Sequence, residues 1–255
     1  MSRLALILLT LVATGATAEA NTSKLDKEGS PSPTKSWSTA KNKLCCGYPL
    51  SAAGGFRFTF YWMADEKRHD DPSRWDKLPD RVLNVQQVGR DIEQQDIYTR
   101  AGHFLATATK SFVEELKMEG AGWLSDGRVV NWAGRCRWGV GTCFRVLDPK
   151  RYPYGMGAMR RPLVPFRSVA VDRKLIQIGE TLYVPEFDGM ILPDGSRHDG
   201  CLRADDVGGA IRRKKIDFYV TYLEHYLFVN RQQQGNRYFT PHIEAPRCAF
   251  LKDPP

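Results

Sequence analysis

The chain has no Cys-x-x-Cys and no His-x-x-x-His spacing, so nothing in it pre-sets tetrahedral zinc ligation. The adjacent pair Cys45-Cys46 with a histidine is the competing metal arrangement, and it lacks that geometry. The five histidines (His69, His103, His198, His225, His242) are scattered and form no triad-like group. No thiol stands in a nucleophile context, which argues against a cysteine protease. After the N-terminus no apolar run approaches the ~20 residues a membrane-spanning helix needs, and no unit repeats along the chain. The basic run Arg212-Arg213-Lys214-Lys215 lacks interleaved aromatics, so nucleic-acid readout is not expected of it.

What remains has ordinary globular composition: 255 residues, 42% hydrophobic and 26% charged, enough for one large domain or a domain with a sizeable insertion. Arg3 precedes the apolar run Leu4 to Val12, and Ala16-Thr17-Ala18 and Ala18-Glu19-Ala20 offer cleavage sites. Residues 1–20 therefore read as a signal peptide and the protein as exported, periplasmic or secreted. No cysteine follows the cleavage region before Cys45, so no lipid anchor is expected there. Export permits disulfides, and six cysteines (Cys45, Cys46, Cys136, Cys143, Cys201, Cys248) allow fifteen pairings. Of these, Cys136 with Cys143 suits a staple across a tight hairpin. The net charge of +8 draws an exported protein to anionic polymers, and outside the cytoplasm cell-wall material is the expected partner.

Residues 21–43 are rich in Ser, Thr, Lys and Pro and read as a flexible leader. The fold is expected to begin near Cys45. Gly54-Gly55 introduces Phe56-Arg57-Phe58-Thr59-Phe60-Tyr61-Trp62, a strand with Phe56, Phe58 and Phe60 on one face and Thr59 and Tyr61 on the other. Residues 64–81, with Pro72 and Pro79, read as loop. Leu105, Ala108, Phe112 and Leu116 predict one amphipathic helix over Ala101 to Glu119, ended by Gly120 and Gly122. Residues 120–132 read as loop around the turn Ser125-Asp126-Gly127, and 149–165 as irregular connection. From Phe166, short strands are expected at 169–171, 175–178, 181–184, 201–204 and 216–220.

Four motifs follow in order: Val171-Asp172; Ile178-Gly179-Glu180-Thr181-Leu182-Tyr183-Val184-Pro185; Ala204-Asp205-Asp206-Val207-Gly208-Gly209-Ala210-Ile211; and Ile216-Asp217-Phe218-Tyr219. Together they resemble the 3D domain, a family named for three aspartates and found in the C-terminal part of membrane-bound lytic transglycosylase A and in stationary-phase survival proteins. Thr59-Phe60-Tyr61 resembles the family's opening Thr-x-Tyr strand. The resemblance covers 56–63 and 166–222. It implies a mainly β fold, a six-stranded double-psi β-barrel with an α-containing insertion: 44–63 as the first part of the barrel, 64–160 as the insertion, 161–230 as the main part and 231–255 as a C-terminal tail. It also implies cleavage of the MurNAc–GlcNAc linkage of peptidoglycan to a 1,6-anhydromuramyl end. Against the usual pattern, Arg173 and Gln177 stand where prolines are common, and Arg213-Lys214 replace a glycine-containing turn.

The chemistry asks for an acid that keeps its proton near neutral pH, which an aspartate of ordinary pKa ~3.9 does poorly unless desolvation or a like charge favours its neutral form. Asp217, between Ile216 and Phe218 in an apolar strand, suits that part; the family's matching aspartate is the single acid/base. Asp206 opens Val-Gly-Gly, where backbone N–H groups can approach and hold a carboxylate ionised or orient it. Asp206 and Asp172 are then expected to stabilise charge or position Asp217, with Thr59, Tyr61, Gly208 and Gly209 binding substrate. Such a cycle requires no metal or other cofactor. Trp123, Trp132 and Trp138 suit either sugar stacking or core. Two alternatives stay open: a non-catalytic wall-binding protein, and a hydrolase using Asp206 with Asp217 as a carboxylate pair. Taken singly, each aspartate also suits a turn or strand-end role.

Overall fold

A computed structural model describes residues 45–50, 55–71, 73, 93–136 and 141–252. The expected signal peptide and leader, the proline-containing stretch after Ser73 and Trp138 lie outside the described residues. The fold is mainly β.

Numbered along the chain, the main sheet contains β1 (Tyr48–Pro49), β2 (Phe56–Tyr61), β9 (Ser168–Ala170), β10 (Thr181–Ile191), β11 (Arg197–Asp206), β12 (Lys215–Tyr219), β13 (Tyr238–Phe239) and β14 (His242–Ile243). Their spatial order is β1-β14-β10-β11-β9-β12-β2-β13, and the sheet curls into a half barrel. Five longer strands carry the structure, and three two-residue strands extend its edges beyond the six expected. Two pairs are parallel, β9 with β11 and β2 with β12. The alternation read in β2 is what builds the core: Phe56 and Phe58 are buried with Leu182, Phe187, Leu202 and Phe218, while Tyr61 belongs to a second cluster on the other face. Phe58 meets Phe187 and Phe239 edge-on at centroid distances of 5.4 and 5.0 Å. Each such buried aromatic contributes roughly 1.5–3 kcal/mol through apolar burial.

The insertion has its own sheet, in the order β3 (Ala64–Asp65), β6 (Ala121–Trp123), β7 (Val129–Arg135), β8 (Thr142–Leu147), and a hairpin of β4 (Gln94–Tyr98) with β5 (Phe104–Thr109). Its helix, Lys110–Glu119, packs Phe112, Val113 and Leu116 against Ile97, Leu124, Val130 and Phe144. Gly120 ends it in the left-handed conformation, φ 80°, with its N–H on the Leu116 carbonyl. At Gly122 a Cβ would stand 2.6 Å from the Ala64 carbonyl oxygen, so only glycine lets β6 approach β3.

Several expectations are corrected. The helix starts at Lys110 rather than Ala101, because 104–109 pairs with β4 as a strand. Leu105 and Ala108 are both buried, which mimics a helical face. Residues 175–178 form a turn in which the N–H groups of Leu175 and Ile176 donate to the Asp172 carbonyl. The 64–81 stretch contains β3 and a short helix, Glu66–His69, and 120–132 contains β6. A helix over Leu223–Gln232 has no counterpart in the sequence reading. Within the expected C-terminal tail, residues 231–252 supply β13, β14 and a 3₁₀ segment, Pro246–Leu251, tied back by Cys201–Cys248. The expected Cys136–Cys143 staple is present, and Cys45 is bonded to Cys46. Among the described residues no helix is long and apolar enough to cross a membrane.

Candidate active site

β9 lies between β11 and β12, and its Ala170 is in register with Asp206 on one side and Asp217 on the other. Two strand spacings, about 10 Å, therefore separate the two aspartate backbones. The small Ala170 side chain between them forms the floor of a cavity of about 330 Å³ that both aspartates line, together with Tyr61, Tyr219, Gly208 and Gly209. That volume lies at the lower end of the range that ligand sites occupy.

β2 completes the strand side. Its register sets Thr59 opposite Asp217 and Tyr61 opposite Tyr219. The Tyr61 hydroxyl donates to Asp206 Oδ2 at 3.4 Å, and the Val207 N–H donates to Asp206 Oδ1 at 2.8 Å. Gly208 is required by the tight turn that follows, since a Cβ there would meet Ile211 Cγ1 at 2.5 Å; at Gly209 nothing lies within 4 Å, and the missing side chain leaves the rim open.

Both carboxyls border the cavity and keep some accessible surface, while the protein packed behind them strips away most bulk water. Burial pushes Asp206 up to about 7, against the pull of the Val207 N–H and the Tyr61 hydroxyl. The Val207 N–H orients the carboxyl, one of the two parts expected of the Val-Gly-Gly turn, while desolvation outweighs its pull on the proton. Burial also raises Asp217, with the Thr59 hydroxyl and the Lys215 ammonium pulling the other way. Although Thr59 is near enough to temper that rise, Thr59 Oγ1 and Asp217 Oδ1 are both buried without a hydrogen bond of ordinary geometry.

Asp172 is elsewhere. Its carboxylate accepts the Lys174 N–H at 3.0 Å and the Arg213 N–H at 2.8 Å. Those backbone donors, then the charges of Arg212 and Lys174, hold it below the usual carboxylate range. It does not line the cavity. It ties the turn after β9 to the turn before β12, where Arg213 adopts φ 56° in place of the family's usual glycine.

The insertion builds the opposite side, with Lys117, Met118, Glu119 and Gly120 from the end of its helix and Asn131 and Trp132 from β7. Trp132 is 53% exposed, whereas Trp123 packs against Tyr154 and Tyr222 and donates its indole N–H to the Pro153 carbonyl. Trp62 locks this side to β2: its backbone N–H donates to Glu119 Oε2 at 3.0 Å and its indole N–H to Glu115 Oε1 at 2.8 Å. Glu115 also holds the buried His69 at 2.6 Å. Behind Asp206, the fully buried Asp205 is braced by Arg161 at 2.8 Å, Arg203 at 2.6 Å and the Ser168 hydroxyl at 2.6 Å. A Cβ at Gly157 would sit 2.4 Å from the Asp205 carbonyl oxygen, so the neighbouring loop closes on this strand only with glycine there.

Sequence reasoning missed Asp205 and Glu119. A fourth aspartate beside Asp206 was in plain view but carried no spacing signal. For Glu119 the only signal was Gly120, which marks a helix end without saying what that end faces.

Residues 167–226 match the 3D domain family. Among solved structures, the chain is similar to MltA from Neisseria gonorrhoeae at 17% identity, covering 56% of this chain and 47% of that one with a TM-score of 0.40. It is similar to E. coli MltA with bound chitohexaose at 18%, covering 69% and 64% with a TM-score of 0.36. It is also similar to the membrane-bound lytic murein transglycosylase from Agrobacterium tumefaciens at 16%, covering 77% and 71% with a TM-score of 0.39. The chain thus spans from about half to under two thirds of the length of the first two. No curated protein sequence matches it.

Proposed function

We propose that the chain is an exported lytic transglycosylase that cleaves the MurNAc–GlcNAc linkage of peptidoglycan with Asp217 as its single acid/base. The observation that carries this reading is the buried, unpartnered Asp217 Oδ1 beside a cavity shared with Asp206, within a matched 3D domain. In the forward step the Asp217 carboxylic acid gives its proton to the glycosidic oxygen as the bond to C1 breaks. The resulting carboxylate then takes the proton of the muramyl C6 hydroxyl as that oxygen bonds C1, which closes the 1,6-anhydro ring and restores the acid. Water is excluded from the product, and no second carboxylate is consumed as a nucleophile.

Asp206 is held by the Val207 N–H, the Tyr61 hydroxyl and the Ala158 backbone N–H and is the less free of the pair. With a pKa pushed up to about 7 it is partly ionised at neutral pH, and its charge would stabilise an oxocarbenium-like centre. Thr59 and Tyr61 position the two acids, and the bare Gly208–Gly209 rim admits a glycan strand. Asp172 serves as a positioning residue for the turn that leads into β12. The exposed Trp132 offers its face to a sugar ring, so the insertion binds substrate. The parallel β9–β11 and β2–β12 pairs fit the double-psi barrel that the family implies, and the three disulfides suit the oxidising space outside the cytoplasm.

A second reading is favoured by one observation: the raised Asp206 is itself capable of acid catalysis, so the two aspartates could work as a hydrolase pair. Mass spectrometry of peptidoglycan incubated with the protein separates the readings. Anhydromuropeptides support the transglycosylase, reducing-end products support the hydrolase, and an intact wall supports a binding protein.

A further inference from the structure

We propose that Lys215, Arg57 and Tyr238, one row along the sheet from Asp217, form a subsite for the carboxylates of the stem peptide carried by the muramyl residue. This deepens the reading of the chain as a transglycosylase and rests on it.

The row follows from strand register. In the parallel pair β2 and β12, Tyr61 stands opposite Tyr219, Thr59 opposite Asp217 and Arg57 opposite Lys215. A strand's period of two puts all six on one face, while Phe58, Ile216 and Phe218 fill the core from the other. On the other side of β2, β13 sets Tyr238 beside Arg57. Three cross-strand rows therefore follow one another on this face: two tyrosines, then the acid with its threonine, then two cations and a tyrosine. Asp217 and Tyr219 line the cavity, whereas Lys215 and Arg57 do not. The cationic row lies two residues, about 7 Å, past the acid. It opens to solvent, with Arg57 exposed, Lys215 half-buried and Tyr238 62% exposed.

Neighbouring strands stand about 4.8 Å apart, so two cations in register repel each other. Among the described residues neither side chain has an ion pair or a hydrogen bond; Arg57 is tied here only by its backbone N–H, which donates to the Lys214 carbonyl at 2.8 Å. Asp217, the carboxyl next along the face, forms no ion pair with Lys215 and in the proposed cycle waits as the neutral acid. An incoming anion relieves that repulsion. Arginine offers a planar fork that grips a carboxylate through two parallel N–H bonds, lysine adds a point charge, and tyrosine adds a hydroxyl and an apolar ring for the peptide. Within the basic run, strand alternation turns Lys215 onto the site face, while the Arg212 guanidinium is engaged by the Gly208 and Ile211 carbonyls at 2.8 Å. A muramyl ring held with its C1 at Asp217 carries the lactyl ether and its peptide out of the cavity. The bare sugar chain has no charge for this row to hold.

Binding to the full chain is read by calorimetry in an Asp217→Asn background, so that no bond is cut. The probes are a muramyl-containing tetrasaccharide with free stem-peptide carboxylates, the same compound with those carboxyls amidated, and chitohexaose. Arg57→Gln combined with Lys215→Gln is expected to raise Kd for the first probe about tenfold and to leave the other two within about twofold. Equal loss for all three probes, or none for the first, would overturn the proposal. Inorganic phosphate at matched ionic strength tests the source of the anion: if it displaces the first probe as readily as the free stem peptide does, the row is an unselective anion patch and the proposal falls. Cleavage by the wild-type protein that ignores the peptide removes the subsite and leaves the transglycosylase. Selective binding without any cleavage keeps the subsite and removes the transglycosylase.

Discussion

The two sides of the cavity are made differently. The strand side comes from adjoining strands of one sheet, where register alone sets Asp206, Ala170 and Asp217 side by side. The insertion side comes from a helix end and a strand edge far away in sequence, joined to the first side through Trp62. The first side holds the groups suited to moving a proton. The second, with Lys117 to Gly120 and Trp132, lines the cavity facing them. A chemical signature in a sequence therefore marks one half of such a site, and the other half follows from packing between separate segments.

The sharpest way to break this division is to change each side and ask which constant moves. Asp217→Asn keeps size and removes the proton; anhydromuropeptide release is expected to fall by roughly 10²–10⁴-fold with the fold retained by circular dichroism. Equal turnover in that variant would end the assignment. Asp206→Asn is expected to separate stability from activity. Folded Asp206 holds its proton up to about 7, so between the ordinary carboxylate pKa and that value the folded state binds more protons than the unfolded one, and its stability declines as pH rises through this window. The asparagine variant escapes the decline: its denaturation midpoint should exceed wild type at pH 8, by a ceiling of about 4 kcal/mol, and match it near pH 4. Asp172 carries the opposite sign, because its lowered pKa stabilises the fold above the ordinary value and that support disappears as pH falls. Trp132→Ala tests the insertion side; a KM about tenfold higher at nearly unchanged kcat is expected from loss of stacking. The smallest effect is expected at Arg213→Gly, which relieves the left-handed strain at φ 56° while keeping the N–H bonded to Asp172. After the extra chain entropy of glycine is subtracted, a gain of about 0.5 kcal/mol in urea denaturation remains.

Legibility in the sequence followed the same division. Alternation in Phe56 to Tyr61 correctly sorted the two faces of β2, because a strand's period of two maps directly onto faces. The end of the insertion helix was visible at Gly120 for a local reason, its positive φ. Its beginning was misread because Leu105 and Ala108 are buried from a strand, through pairing with a segment distant in sequence. Tertiary pairing also decided 231–255: Tyr238 and Phe239 have little apolar context of their own, yet they close an edge of the sheet against β2. The sequence reading gave the three aspartates separate parts in one shared site. Burial separated them, leaving Asp172 saturated by backbone donors and Asp217 with an empty-handed oxygen.

The brace behind Asp206 extends to the far end of the described chain, for Arg203, which grips Asp205, also donates to the Leu251 carbonyl at 2.9 Å, beside the Cys201–Cys248 link. The mounting of Asp205 thus depends on a segment more than forty residues further along the chain. Reducing Cys201–Cys248 is expected to loosen that grip, read as a lower denaturation midpoint in the presence of a reductant.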